Sequence, residues 1–213
     1  MFCPVMTLII ISHRIAILNT TYKSIVKMKN NKQKKTGFHS ILGILIVFAG
    51  ILSVDSAVAS TYTLTGKVVR VSDGDTINLL VENKQERIRL ASIDAPETGH
   101  GDNRPGQAFG EASRKNLALH VAGKTLTLVC FEKDRYDRHI CDIPVGGTTA
   151  NRLQVEEGMA WANQQAKGKF LRDRSLLALE KAARQKTIGL WSEPGAVAPW
   201  VWRVQCWKNK QCS

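Results

Sequence analysis

The chain has 213 residues, with 30 Lys and Arg against 18 Asp and Glu, so its formal net charge is +12. It is long enough for one domain with a hydrophobic core, and its lack of internal repeats and low-complexity stretches excludes a repeat array. Half of the net charge lies in residues 1–59. The modest basic excess of the remaining chain fits a polyanionic partner, and it fits ordinary surface solubility equally well.

Residues 1–59 are predicted to be an N-terminal leader. An apolar run at 41–52 is shorter than the roughly 20 residues of a spanning helix. It follows a basic stretch and precedes Ala57-Val58-Ala59, so residues 28–59 have the three parts of a cleavable signal peptide. We therefore expect export to the periplasm or the medium, with a retained membrane anchor as the alternative. Met28 is the better start for such a signal, and residues 1–27 are interpreted as a possible gene-model artefact.

The remaining chain alternates strand and helix patterns. Three strands come first, then a helix, two strands and two further helices. The predicted strands are 61–72, 76–81, 87–93, 125–131 and 139–145. The predicted helices are 107–121, 150–161 and 170–186. This order indicates an α+β domain of mainly β structure over residues 60–192, namely a five-stranded barrel with about three packed helices.

Residues 193–213 form a C-terminal extension with three tryptophans and two cysteines. We expect this extension to pack on the barrel, with a surface that stacks on bases as the alternative. Without Cys3 of the leader, four cysteines remain, and an even number suggests disulfides in an exported chain. Of three possible connectivities, local bridges are favoured, namely Cys130 with Cys141 and Cys206 with Cys212. A zinc site that uses His139 is a weaker alternative, since no Cys spacing supports it.

Carboxylates and arginines occur together in three short strings, at 71–76, 89–97 and 134–138. Carboxylate oxygens hold hard divalent cations, and guanidinium groups neutralise and orient phosphates. The side chains in question are Asp75, Arg89, Asp94, Glu97 and Arg138. Each string alone could be a turn or a surface ion-pair patch. All three together indicate a nuclease.

With these strings placed, the chain resembles the staphylococcal nuclease family over roughly residues 62–191. The shared strings are 73–76 (Asp-Gly-Asp-Thr), Arg89 with 94–97 (Asp-Ala-Pro-Glu), 109–112, 134–138 and 188–191. The resemblance implies an OB-fold barrel and a Ca²⁺-dependent phosphodiesterase that acts on DNA and RNA. It also implies cleavage that leaves 3′-phosphate ends. We expect a monomer, without stable membrane association once the leader is cleaved.

The resemblance implies a role for each matching residue. The Ca²⁺ ligands would be the side chains of Asp75 and Asp94 and the backbone carbonyl of Ala95. The catalytic residues would be Arg89, Arg138 and Glu97, the last as the proposed general base. Contacts to a terminal phosphate of a bound nucleotide would come from Arg135 and Tyr136.

Two departures from the family pattern matter for the site. Asp137 stands where the family commonly has Gly, and this position would need a positive φ that Asp adopts less freely. The family's base-packing tyrosine pair is replaced by residues 163–166, so stacking would come from elsewhere, for example Trp161, or would be weaker. Two other functions stay open: a non-catalytic OB-fold nucleic-acid-binding protein, and a membrane-tethered surface protein with an incidental nuclease fold.

Overall fold

The structure, a computed structural model, describes residues 60–212. The predictions of a signal peptide and of an alternative start at Met28 therefore lie outside the described residues. Within the described range, no helix has the length and apolar character needed to cross a membrane.

Five strands close into a barrel in the order β1-β2-β3-β6-β5. The barrel strands are β1 (Tyr62–Asp73), β2 (Thr76–Val81), β3 (Lys84–Leu90), β5 (Thr125–Lys133) and β6 (His139–Asp142). Neighbours pair antiparallel except β3 and β6, which run parallel. Two short ladders lie outside the barrel: β4 (Ile93–Asp94) with β9 (Trp161–Ala162), and β7 (Pro144–Val145) with β8 (Thr148–Thr149). The prediction of an α+β fold with a five-stranded barrel is confirmed.

The helices are shorter than the sequence pattern predicted. The helical segments are α1 (Gly110–Val121), α2 (Ala150–Glu156), α3 (Gln165–Gly168), α4 (Leu176–Gln185), a 3₁₀ turn (Gly189–Ser192), α5 (Pro199–Trp202) and a π-helix (Arg203–Lys208). Helix α1 begins late because Phe109 has a φ of 64°. Helix α4 begins late because the N–H groups of Arg172 and Asp173 donate to Ser92 Oγ instead of starting a helix. The predicted third strand is also too long at its end, since Ser92 has a φ of 67°.

The barrel is filled by aliphatic side chains from alternate strand positions. Ile77, Leu79, Ile88 and Leu90 from β2 and β3 are almost fully buried, together with Leu117 of α1. Full burial of one such side chain is worth about 1.5–3 kcal/mol. This core fixes the first three strands, and with them the turns that carry the acidic residues.

Both predicted cysteine pairs lie at disulfide distance. Cys130 and Cys141 face each other across β5 and β6, with an S–S distance of 2.04 Å. Cys206 and Cys212 pair within the C-terminal extension at 2.02 Å. This pairing leaves no free cysteine among residues 60–212 for the alternative zinc site.

The C-terminal extension lies against the loop that precedes α1. Trp207 Nε1 donates to the Pro105 carbonyl oxygen at 3.0 Å, and Lys210 Nζ donates to the Asn103 carbonyl oxygen at 3.3 Å. Gln107 Nε2 also donates to the carbonyl oxygen of Val197. These contacts bring the π-helix close to residues 94–97.

Candidate active site

Arg89 joins the two aspartates predicted to bind a cation. Thr76 pairs with Arg89 across β2 and β3, which places the guanidinium group next to Asp75. Its Nη1 forms an ion pair with Asp75 Oδ1, and its Nη2 lies 2.5 Å from Asp94 Oδ1. Both carboxylates are buried, and Asp94 has no exposed surface. The short meander from β1 to β4 therefore brings three of the predicted residues into direct contact.

Two further hydrogen bonds hold the Asp75 carboxylate. Its Oδ2 accepts a hydrogen bond from the Ala95 N–H at 2.7 Å, and its Oδ1 accepts from Thr76 Oγ1 at 3.0 Å. The turn before it is fixed by Gln154 of α2, whose Nε2 donates to the Gly74 carbonyl oxygen at 2.6 Å. A Cβ at Gly74 would overlap Ser113 Oγ of α1, so this close approach requires glycine. Ala95, the predicted carbonyl ligand, thus lies directly beside Asp75.

Glu97 lies on the loop after β4 and is only 8% exposed. Gln107 forms two hydrogen bonds with the backbone of Glu97. The Gln107 N–H donates to the Glu97 carbonyl oxygen at 2.8 Å, and Gln107 Oε1 accepts from the Glu97 N–H at 3.3 Å. Gly110 packs against the same carbonyl. The start of α1 therefore fixes the backbone that carries the predicted general base.

Arg203 of the π-helix enters the same cluster, and the sequence did not assign it a role. Its Nη2 lies 2.8 Å from Asp94 Oδ2, and its Nη1 lies 3.1 Å from Asp94 Oδ1. The same Nη1 donates to Glu97 Oε1 at 2.5 Å. In sequence, Arg203 is 109 residues from Asp94. The only sequence signal is its place in the Pro-Trp-x-Trp-Arg string at 199–203.

The carboxylates of this cluster differ in their tendency to ionise. Burial would raise the pKa of Asp94, but Arg89 and Arg203 outweigh this effect and hold that pKa below its usual range. Burial, with Asp75 nearby, raises the pKa of Glu97 to about 7. Burial, with Asp75 and Glu97 nearby, raises the pKa of Asp73 to about 8. Asp73, which the sequence pattern included only within the Asp-Gly-Asp-Thr string, thus lies close enough to Asp75 and Glu97 for their charges to raise its pKa.

The donor set fits a hard divalent cation. Arg89 and Arg203 pair with the carboxylates of Asp75, Asp94 and Glu97. With Asp73 nearby, four carboxylates stand against two guanidinium groups, so full ionisation leaves two uncompensated negative charges. Burial is the main cause of the raised pKa values of Asp73 and Glu97, and the charges of the neighbouring carboxylates add to it. Among residues 60–212, no three His, Cys, Asp or Glu side chains form a metal-binding group. The predicted set is smaller, with two carboxylates and a backbone carbonyl.

The third string lies in the turn between β5 and β6. Asp134 Oδ2 accepts from Arg138 Nε at 2.8 Å, and Arg138 Nη2 lies 2.7 Å from the same oxygen. Within residues 60–212, Arg138 forms no ion pair with Asp75, Asp94 or Glu97, so it does not join the cluster of Arg89. The Tyr136 ring is 56% exposed, with the guanidinium carbons of Arg135 and Arg138 at 4.8 and 5.5 Å from its centroid.

The two departures from the family pattern concern the backbone at Asp137 and the exposure of Trp161. Asp137 adopts the positive φ expected of this position, at 59°. Trp161, suggested as a base-stacking residue, is only 4% exposed and packs edge-on against Trp191, with ring centroids 5.0 Å apart. The suggestion for Trp161 is therefore wrong, because its ring belongs to a hydrophobic cluster with Leu190 and Ala183.

Comparisons with known proteins point to one family. A family model described as "Staphylococcal nuclease homologue" matches residues 87–193, which include Arg89, Asp94, Glu97 and Arg138 but not Asp75. An "Uncharacterized endonuclease" of Escherichia coli O157:H7 is 40% identical over 139 residues, which cover 65% of this chain and 84% of that protein. A "Micrococcal nuclease" of Shigella flexneri is 38% identical over 173 residues, which cover 77% and 94%. A "Staphylococcal-like nuclease CAN1" of Arabidopsis thaliana is 32% identical over 128 residues, which cover 60% and 35%.

Proposed function

This chain belongs to the staphylococcal nuclease family, and we propose that it is a nuclease that hydrolyses phosphodiester bonds in nucleic acids. One observation carries the proposal: Arg89 lies among the buried carboxylates of Asp75 and Asp94, and Glu97 is joined to Asp94 through Arg203. Attack on a phosphodiester adds negative charge to the non-bridging oxygens. A preset guanidinium group beside a cation site is suited to offset that charge. The names of the relatives from Shigella flexneri and Escherichia coli support this activity.

The cation in this proposal is Ca²⁺. Asp75 and Asp94 would hold it through carboxylate oxygens, and Ala95 through its backbone carbonyl. The bound ion would supply positive charge next to the phosphate under attack. The excess negative charge of the cluster and its oxygen-only donors support this assignment.

Glu97 would act on the attacking water. Its carboxylate is largely shielded from solvent, and its raised pKa, about 7, lies near neutral pH, where a general base is most effective. Gln107 and the start of α1 hold its backbone in place. The role of these contacts is to keep the carboxylate at a fixed distance from Asp94.

The turn at 134–138 would supply Arg138 as the second catalytic arginine and would bind the phosphates of the substrate. Asp134 accepts a hydrogen bond from Nε–H of Arg138 and forms an ion pair with its Nη2, so the remaining N–H donors are available to a phosphate. Arg135 and Tyr136 lie at the surface beside it and would contact a terminal phosphate. Since phosphate contacts involve neither the base nor the 2′-hydroxyl group, we propose both DNA and RNA as substrates. We propose 3′-phosphate products on the family resemblance alone.

Export is proposed on the pattern of residues 28–59 alone. The protein would then work as a monomer in the periplasm or the medium. Expression of the full chain followed by N-terminal sequencing tests this proposal, and a product that starts at Ser60 is the expected result. A product that retains residues 28–59 would contradict it.

The nuclease assay uses protein purified after expression of the full chain. End-labelled single-stranded DNA and RNA are incubated with Ca²⁺ or with a chelator, using the wild type, Glu97→Ser, Arg89→Ala and the control Arg87→Ala. Arg87 is exposed on the same strand as Arg89. We expect Ca²⁺-dependent cleavage that is lost in the first two variants and kept in the control. Binding without cleavage in the wild type would instead support the non-catalytic alternative.

A further inference from the structure

Arg203 connects the C-terminal extension to the carboxylates of the candidate active site. Its two Nη atoms form a fork on Asp94, and Nη1 also donates to Glu97. A fork of this kind fixes the relative orientation of its partners, because the guanidinium group is planar and rigid. Glu97 is therefore held against Asp94 by a side chain from another part of the chain.

The extension is anchored independently of this contact. Trp207 donates to the Pro105 carbonyl oxygen, the Arg104 guanidinium carbon lies 5.5 Å from the centroid of the Trp207 ring, and Cys206 pairs with Cys212. Cys206 is fully buried. Arg203 thus projects from a supported helix, so its reach to the carboxylates does not depend on its own ion pairs alone.

Charge and lone pairs show what the fork does to a cation site. Asp94 Oδ1 accepts from both Arg89 and Arg203, while Oδ2 accepts from Arg203 alone. A carboxylate oxygen offers about two lone-pair positions, so Asp94 keeps one on Oδ2 for a further partner. Arg203 also places a positive charge within contact distance of that partner. Cation binding is possible in its presence but is opposed by this repulsion.

We propose that Arg203 is a positioning residue of the active site, which holds the Glu97 and Asp94 carboxylates in one orientation and offsets part of their charge. The proposal rests on the nuclease function given above. It assigns the C-terminal extension a part in the active site rather than only in packing. It predicts two opposite effects of one substitution: loss of Arg203 should slow turnover but strengthen cation binding.

The test uses the full chain with four substitutions, Arg203→Ala, Arg203→Lys, Trp207→Phe and Lys208→Ala. CaCl₂ is titrated calorimetrically without nucleic acid, and kcat and KM are measured on single-stranded DNA at saturating Ca²⁺. For Arg203→Ala we expect Ca²⁺ to bind about tenfold more tightly, since a neighbouring positive charge is removed. We expect kcat to fall by at least about tenfold, with KM changed less than about threefold.

The other variants separate charge, geometry and anchoring. Arg203→Lys keeps the charge but not the fork, so Ca²⁺ affinity should stay near wild type while kcat recovers only in part. Lys208→Ala removes an exposed positive charge from the same π-helix and should leave both quantities within about twofold. Trp207→Phe loosens the extension through its bond to Pro105. It should reproduce neither the tighter Ca²⁺ binding nor the lower kcat of Arg203→Ala.

Two results would overturn the inference. If Arg203→Ala leaves kcat unchanged or raises it, Arg203 does not position Glu97. If kcat and Ca²⁺ affinity fall together, the variant has damaged the site and charge sharing is refuted. Failure of the proposed function is distinguishable, because it would appear in the wild type as absent cleavage or absent Ca²⁺ binding. Failure of this inference appears only in the comparison of variants with the wild type.

Discussion

Replacement of Arg89 by methionine should separate the structural role of this arginine from its role in catalysis. The change keeps much of the aliphatic volume but removes the positive charge between Asp75 and Asp94. Both carboxylates are almost fully buried, with exposed fractions of 1% and 0%. Removal of one partner of a buried ion pair costs about 3–5 kcal/mol, because it leaves an uncompensated buried charge. For a domain of this size each kcal/mol lowers Tm by roughly 2–4 °C, so Tm should fall by roughly 6–20 °C.

The assay compares thermal melts in chelator with nuclease rates in Ca²⁺. Arg87→Met is the matched control, since Arg87 is exposed two residues earlier on β3, and it should change stability by less than about 0.5 kcal/mol. The double variant Arg89→Met with Asp75→Asn also removes the charge left behind, because Asp94 keeps its ion pair with Arg203 whereas Asp75 loses its partner. It should regain part of the stability but none of the activity, which we expect to be reduced by roughly 10²–10³ in kcat.

Two outcomes would refute this reasoning. If Arg89→Met melts at the same temperature as Arg87→Met, the buried ion pairs with Asp75 and Asp94 do not stabilise the fold. If the double variant recovers nuclease activity, neither the Arg89 charge nor the Asp75 carboxylate is needed for the reaction.

Three further predictions concern pH, backbone packing and the barrel disulfide. Burial beside Asp75 raises the pKa of Glu97 from 4.5 to about 7, so between these pH values the folded protein keeps a proton that the unfolded chain releases. The free energy of unfolding without metal should therefore fall by roughly 3 kcal/mol as pH rises from about 4.5 to about 7. In melts with chelator, Glu97→Gln should remove this part of the pH dependence. Gly110→Ala would place a Cβ against the Glu97 carbonyl, so kcat should fall well below that of the wild type in steady-state assays, and an unchanged kcat would contradict the role of α1 in placing Glu97. Replacement of Cys130 and Cys141 by alanine removes a disulfide between residues 11 positions apart. The free energy of unfolding in urea titrations should fall by about 3 kcal/mol, without loss of activity at low temperature.

The sequence was sufficient for the barrel and for the local part of the site. Strand β2 was predicted with its observed bounds, because a turn signal precedes it and apolar residues continue to its end. Thr76, next to Asp75, pairs with Arg89 across β2 and β3, and Asp94 follows only five residues after Arg89, so the local path of the chain brings the three together. Family strings then identified these residues among many other acids and arginines of the chain.

Only the tertiary structure could reveal the long-range contacts. Arg203 reaches Asp94 across 109 residues, and its place in the Pro-Trp-x-Trp-Arg string does not indicate which residues it contacts. Trp161 is an aromatic residue that could stack on a base, but it is buried against Trp191, and this contact depends on where the fold places the 3₁₀ turn Gly189–Ser192. Periodicity reports which face of an element is apolar, whereas the partner of a charged side chain depends on the path of the whole backbone. The strands and their acids were therefore set by local sequence, and the balance of charge in the site was set by the fold.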